Sequence, residues 1–107
     1  MALDILVTGL HDEIEKKLSV YLEEHDFIVS KIEGNNNFPI LKRIFSDYYG
    51  EDEVYLNDLE SLRLEVLSFE KMFDLSFPSG FSEFIANFLV IIDHSIETRR
   101  IIKIVGD

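Results

Sequence analysis

The chain has no cysteine, and that absence removes disulfide scaffolds, thiolate zinc sites, iron–sulfur clusters and thiol catalysis together. Glycine is sparse, five in 107 residues, and no glycine-rich loop able to cradle a phosphate is formed. Cationic residues are scarce as well: 10 Lys+Arg stand against 21 Asp+Glu, for a formal charge of −11. Nucleic acid and anionic lipid both require clustered cations that displace counterions from phosphate, so neither is expected as a partner. The most apolar window, Phe77 to Ile92, falls short of the ~20 residues that span a bilayer and contains Pro78, Glu83 and Asn87, which marks a core helix rather than an anchor. Met1 to Leu10 has no positive n-region and carries Asp4 within its apolar run, unlike a signal peptide, so a cytoplasmic location is the expectation.

What the chain does have is enough apolar residue to fold. Leu, Ile, Val and Phe occupy 42 of 107 positions, far above the ~20% below which highly charged chains stay disordered. A single acidic globular domain over residues 1–107, burying roughly two-thirds of its extended-chain surface, is the expectation for this length.

Hydrophobic periodicity divides the chain into segments. Residues 2–8 alternate around Leu3, Ile5 and Val7 and end at Gly9, which predicts a strand. From His11 to His25, Ile14, Leu18, Tyr21 and Leu22 recur at helical spacing, which predicts a helix. Residues 26–33 alternate again and predict a second strand, stopped by Gly34-Asn35-Asn36-Asn37. Phe38-Pro39 opens a short amphipathic turn or helix that ends near Tyr49-Gly50. Asn57 with Glu60 three residues on has the spacing of a capping box, and Leu59, Leu62, Val66, Phe69 and Phe73 predict a helix over about 57–74. A further helix, apolar almost all round, is expected from Ser79-Gly80 through Phe81, Phe84, Ile85, Phe88, Leu89 and Ile92 to about Thr98. The β-branched run from Arg100 to Val105 predicts a closing strand. The resulting expectation is an α/β or α+β fold: a small two-layer sandwich of about three strands with three to four helices, in the order β-α-β-α-α-α-β.

Motifs for chemistry are absent. His11, His25 and His94 lie far apart and in no paired metal-ligand spacing. His94 and Glu97 share a helical face, but a di-iron bundle needs matching pairs from further helices. Ser79-Gly80-Phe81-Ser82 does not meet the nucleophile-elbow pattern. The chain is therefore expected to be no enzyme and to hold no cofactor or metal, although a dyad assembled only by folding is invisible in a sequence.

The distinctive feature is a charge run. Between Arg43 and Arg63 no basic residue occurs, while Asp47, Glu51, Asp52, Glu53, Asp58 and Glu60 alternate with Tyr48, Tyr49 and Tyr55. The plainer reading is a solvated loop whose aromatics tuck into the core. The sharper one is a binding face for a basic protein, since tyrosine supplies amphipathic contact area and neighbouring carboxylates steer a cationic partner. Asp52 and Glu53, remote in sequence from any cation, are expected to be free to pair across an interface.

The segment Phe38-Pro39-Ile40-Leu41-Lys42-Arg43-Ile44-Phe45-Ser46-Asp47-Tyr48-Tyr49, followed by acids and the Leu-rich helix from Asn57, resembles small bacterial immunity proteins of contact-dependent growth inhibition and other polymorphic toxin systems. The likeness covers about a third of the chain. Tyr48-Tyr49-Gly50-Glu51 is also similar to a segment of the barstar family of acidic ribonuclease inhibitors, from which Asp52-Glu53-Val54-Tyr55 then departs. The resemblance implies a cytoplasmic inhibitor that binds one toxin domain such as a nuclease; the acidic charge suits a basic partner, and a monomer or weak dimer is expected. A small enzyme or enzyme subunit without a recognisable motif and a structural module that pairs through its strands are the competing classes.

Overall fold

A computed structural model describes residues 3–46 and 50–106. The chain runs β1 (Leu3–Thr8), β2 (Ile14–Val20), α1 (Leu22–Ile32), α2 (Pro39–Phe45), β3 (Glu51–Val54), α3 (Leu59–Phe73), α4 (Phe81–Thr98) and β4 (Ile102–Gly106). Single 3₁₀ turns precede α3 at Leu56–Asp58 and follow it at Asp74–Ser76. Among the described residues the fold is α+β, with four helices beside a four-stranded sheet of order β2-β1-β4-β3 in which every pairing is antiparallel.

Two segments differ from the sequence expectation, and they differ as a pair. The helix expected over 11–25 is a hairpin return and strand β2, and the strand expected over 26–33 lies inside helix α1. The apparent helical period of the first was accidental: Ile14, Tyr21 and Leu22, three of its four supposed core residues, are 58%, 56% and 55% exposed. Asp12 takes a left-handed conformation (φ 63°) and Gly9 N–H donates to Glu13 O at 2.8 Å, so the chain reverses instead of continuing into a helix. As an edge strand β2 needs only Leu18 and Val20 near the core, which is why its charged run Glu15-Lys16-Lys17 is tolerated.

Helix α1 buries His25, Ile28 and Ile32, a spacing of three and four residues that the mixed apolar run Phe27-Ile28-Val29 also allowed to be read as alternation. Its first turn settles the matter locally. Tyr21 is extended, its N–H donates to Glu24 Oε1 at 2.8 Å, and Glu23 and Glu24 sit at the positive end of the helix with Lys31 in the last turn. The fourth strand, β3, falls within the charge run and was not expected; the order is therefore β-β-α-α-β-α-α-β.

One face of the sheet is apolar. Leu3, Ile5 and Val7 of β1, Val20 of β2, Val54 of β3, and Ile102 and Ile104 of β4 are buried under the helices, while Asp4, Leu6, Thr8, Lys103 and Val105 alternate toward the uncovered face. The helical layer is organised by aromatic packing. All nine phenylalanines belong to one network of ring contacts, from Phe38–Phe69 (5.9 Å) through Phe69–Phe77 (6.2 Å), Phe77–Phe81 (4.7 Å), Phe81–Phe84 (5.2 Å) and Phe84–Phe88 (6.2 Å) to Phe88–Phe45 (6.5 Å). Phe27 and Phe73 join it through Phe81 and Phe69. Most of these pairs are tilted or edge-on, the arrangement ring quadrupoles favour.

Helix α4 ends on Arg99, a non-glycine residue held in the left-handed region (φ 55°). Arg100 N–H donates to Ser95 O at 3.0 Å, and the buried Ser95 hydroxyl donates to Arg100 O, so the chain turns directly from α4 into β4.

Two stability measurements check this architecture. Phe88, 1% exposed, packs among the helices against Phe45 and Phe84, and Phe88→Ala is expected to cost ~3–5 kcal/mol in urea unfolding through lost transfer energy and a cavity. A loss under about 1 kcal/mol would remove Phe88 from the core. Arg99→Gly is expected to raise stability by about 1 kcal/mol, because glycine adopts the left-handed cap without steric penalty.

Candidate functional site

The expected binding residues Asp47, Tyr48 and Tyr49 lie outside the described residues. The remaining six fall on one stretch of backbone: Glu51, Asp52 and Glu53 on β3, Tyr55 just after it, Asp58 in the 3₁₀ turn and Glu60 in the first turn of α3.

Strand alternation splits them. The register Asp52↔Ile104 and Val54↔Ile102 puts Asp52 and Val54 on the helix side of the sheet, whereas Glu51↔Val105 and Glu53↔Lys103 put Glu51 and Glu53 on the uncovered side. Tyr55, 55% exposed, follows on that side, its hydroxyl 3.4 Å from Glu53 Oε1. Glu51, Glu53 and Tyr55 face Lys103 and Val105 across a shallow open depression of about 470 Å³.

Asp52 is not free, contrary to expectation. Arg43 reaches from α2 and donates from Nε to Asp52 Oδ2 at 2.9 Å and from Nη2 to Glu53 O at 3.1 Å, and its Nη1 lies 3.9 Å from Asp58 Oδ2. The other Asp52 oxygen accepts from Glu53 N–H at 2.8 Å. Sequence distance concealed this pair: Arg43 closes the basic-free interval on paper, yet folding lays it against the middle of that interval. Glu51 and Glu53 thus keep their carboxylates on the open side, with Lys103 across the ladder from Glu53, while Asp52 and Asp58 are spent in holding β3 to α2.

Helix α2, which carries Arg43, is itself positioned by a buried acid. Glu65 of α3 is 8% exposed, and its carboxylate accepts from Ile40 N–H at 3.0 and 3.2 Å and from Leu41 N–H at 3.0 Å, capping the first turn of α2 from another helix. Burial pushes the Glu65 carboxyl above its ordinary value, outweighing the two backbone N–H donors and the attraction of Arg43. A signal for this residue existed in the sequence, since Glu65 stands between Leu62 and Phe69 on the apolar face of α3.

The histidines are dispersed. His25 is buried in α1 with Nε2 3.1 Å from Phe45 O, and His94 Nε2 lies 2.9 Å from Glu15 Oε1. Among the described residues no group of three or more His, Asp and Glu is placed to hold a metal ion, and no helix is long and apolar enough to cross a membrane. No family model, curated protein or solved structure matches the chain.

The raised Glu65 carboxyl makes a signed prediction. The folded protein holds this proton at pH values where the unfolded chain has released it. The associated stability is therefore complete below the ordinary glutamate range and is lost as pH rises through the raised value. Glu65→Gln keeps one oxygen to accept from Ile40 and Leu41 but cannot ionise. Wild-type stability, measured relative to Glu65→Gln, is expected to fall across that rise, and parallel pH profiles would contradict it. Glu65→Ala, which orphans two buried N–H groups, is expected to cost ~1–3 kcal/mol.

Proposed function

We propose that this chain is a stoichiometric inhibitor of the immunity type, acting in the cytoplasm by binding one basic toxin domain, a nuclease, and covering its cationic face. The observation that carries the reading is the acidic edge: Glu51, Glu53 and Tyr55 project from one side of β3, and Arg43 holds that strand from behind. An acidic strand whose backbone Arg43 fixes, beside an exposed tyrosine, is suited to a cationic partner, because the points from which its carboxylates project are set before binding. The formal charge of −11 adds long-range attraction, and the likeness of the 38–49 segment to immunity proteins points in the same direction. In this reading the chain acts by occupancy, with no catalysis and no cofactor.

The third class, pairing through strands, is disfavoured at β3. The N–H and C=O of Glu53 already bond to Asp52 and Arg43, so an added strand would have to displace both.

The immunity reading expects a toxin gene directly upstream, and the probe is the toxin domain of such a gene, purified as an inactive variant for binding and expressed in active form for growth rescue. Co-expression of this chain is expected to restore growth. Association is expected to approach 10⁸ M⁻¹s⁻¹ or more at low salt and to slow as the Debye length contracts from ~30 Å to ~8 Å. Glu51→Ala, Glu53→Ala and Tyr55→Ala should each remain folded and weaken binding by about tenfold or more, ~1.4 kcal/mol. Failure to rescue, or an association rate indifferent to salt, would overturn the reading.

A further inference from the structure

The two edges of the sheet are built differently. Gly106 N–H donates to Gly50 O at 3.0 Å, which fixes the parity of the ladder: Asp52 and Val54 turn their backbone groups toward β4, and Glu51 and Glu53 turn theirs outward. At this edge the outward groups of Glu53 are closed off by Asp52 and Arg43, and the strand is four residues long and carries three acids. The occupied backbone groups are what separates this edge from β2, which carries a charged run of its own in Glu15-Lys16-Lys17.

Carrying the same parity across β4 and β1, through Leu6↔Lys103, Asp4↔Val105, Ile5↔Leu18 and Leu3↔Val20, Lys17 and Ser19 of β2 turn their N–H and C=O groups away from the sheet. Among the described residues nothing bonds to these outward groups. At seven residues β2 is the longest strand, and the exposed apolar side chains Ile14, Tyr21 and Leu22 gather at its two ends. It also carries Lys16 and Lys17, and it lies three strand spacings, about 14 Å, from the acidic β3.

We propose that the β2 edge is a self-association surface: two copies of this chain join β2 to β2 antiparallel about a twofold axis at Leu18, making one continuous sheet. The register follows from which backbone groups are available. Centred on Leu18, Lys17 of each copy lies opposite Ser19 of the other, and each such pair exchanges both of its bonds. Ile14 then comes beside Tyr21 and Leu22 of the second copy at either end, bringing the exposed apolar groups together. A register centred on Lys17 places that cation opposite itself and draws its next pair from Glu15, which lies in the bulge between Val7 and Thr8 pairings. A register centred on Ser19 requires Tyr21, whose N–H is held by Glu24 and whose C=O accepts from His25 N–H.

The salt response separates this association from toxin binding. Two bodies of charge −11 repel, so added salt should strengthen the dimer while it weakens a complex with a basic partner. The test is sedimentation equilibrium over a concentration series at low and high salt, on the intact chain without any toxin. A concentration-dependent dimer that tightens with salt is expected, and a monomer throughout would overturn the proposal. Lys17→Pro removes an outward N–H from an edge position where proline is tolerated, and it should weaken the dimer by about tenfold or more with its thermal melt retained. An undiminished dimer in folded Lys17→Pro would place the contact elsewhere. Because the chain lacks cysteine, Leu18→Cys supplies a second readout that needs no proline. Directly opposed residues of this pair type lie ~4.5 Å apart at Cα, within disulfide range. Leu18→Cys should therefore oxidise to a covalent dimer well ahead of Leu75→Cys on the exposed 3₁₀ turn, and equal rates would refute the register.

Discussion

A buried carboxylate sets the geometry on which the acidic edge depends. Glu65 leaves α3 to accept the first N–H groups of α2, a seven-residue helix too short to be stable by itself. With its start fixed, α2 presents Arg43 to β3, and Arg43 in turn holds Asp52, Asp58 and the carbonyl of Glu53. Three elements distant in sequence are thus joined by two charged side chains. The burial of Glu65 is unfavourable to its charged form, and the N–H donors it satisfies recover only part of that cost. Substituting a hydrophobic residue would keep α3 packed and release α2.

How much of this was legible in the sequence depended on how much each element relies on its own residues. Helices α3 and α4 were readable because Leu62, Val66 and Phe69, and Phe81, Phe84, Ile85, Phe88 and Ile92, keep a helical period over several turns and are in fact buried. Strands β1 and β4 were readable because each alternates about a single buried face. Segment 11–33 misled because its apolar residues fit two periods, and the deciding features were a turn at Gly9–Asp12 and a helix start at Tyr21–Glu24. Strand β3 was hidden altogether. Glu51-Asp52-Glu53 has poor intrinsic preference for a strand, and its pairing comes from β4, about fifty residues later, and from Arg43 on α2.

The candidate site followed the same rule. Clustering of the acids along the chain was visible and real, since six of the nine named residues lie on one continuous strip from Glu51 to Glu60. Their division of labour was not visible, because side-chain alternation on β3 depends on a strand that the sequence conceals. Asp52 and Asp58 are structural partners of Arg43, while Glu51, Glu53 and Tyr55 face outward. Charge counting alone assigns all of them the same role.

Strand β4 lies in the interior of the sheet, and its residues 102–106 pair with β1 at residues 3–7 and with β3 at residues 51–54. On the ribosome these partners emerge long before it. Until Ile102–Gly106 has been synthesised, β1 has only β2 beside it and β3 has no strand to pair with, and isolated two-stranded pieces are marginal in water. Such long-range closure is slow and comes late in folding. The acidic edge is thus among the last parts of the molecule to come into being, and a chain interrupted before residue 102 would carry every one of its carboxylates without the surface that arranges them.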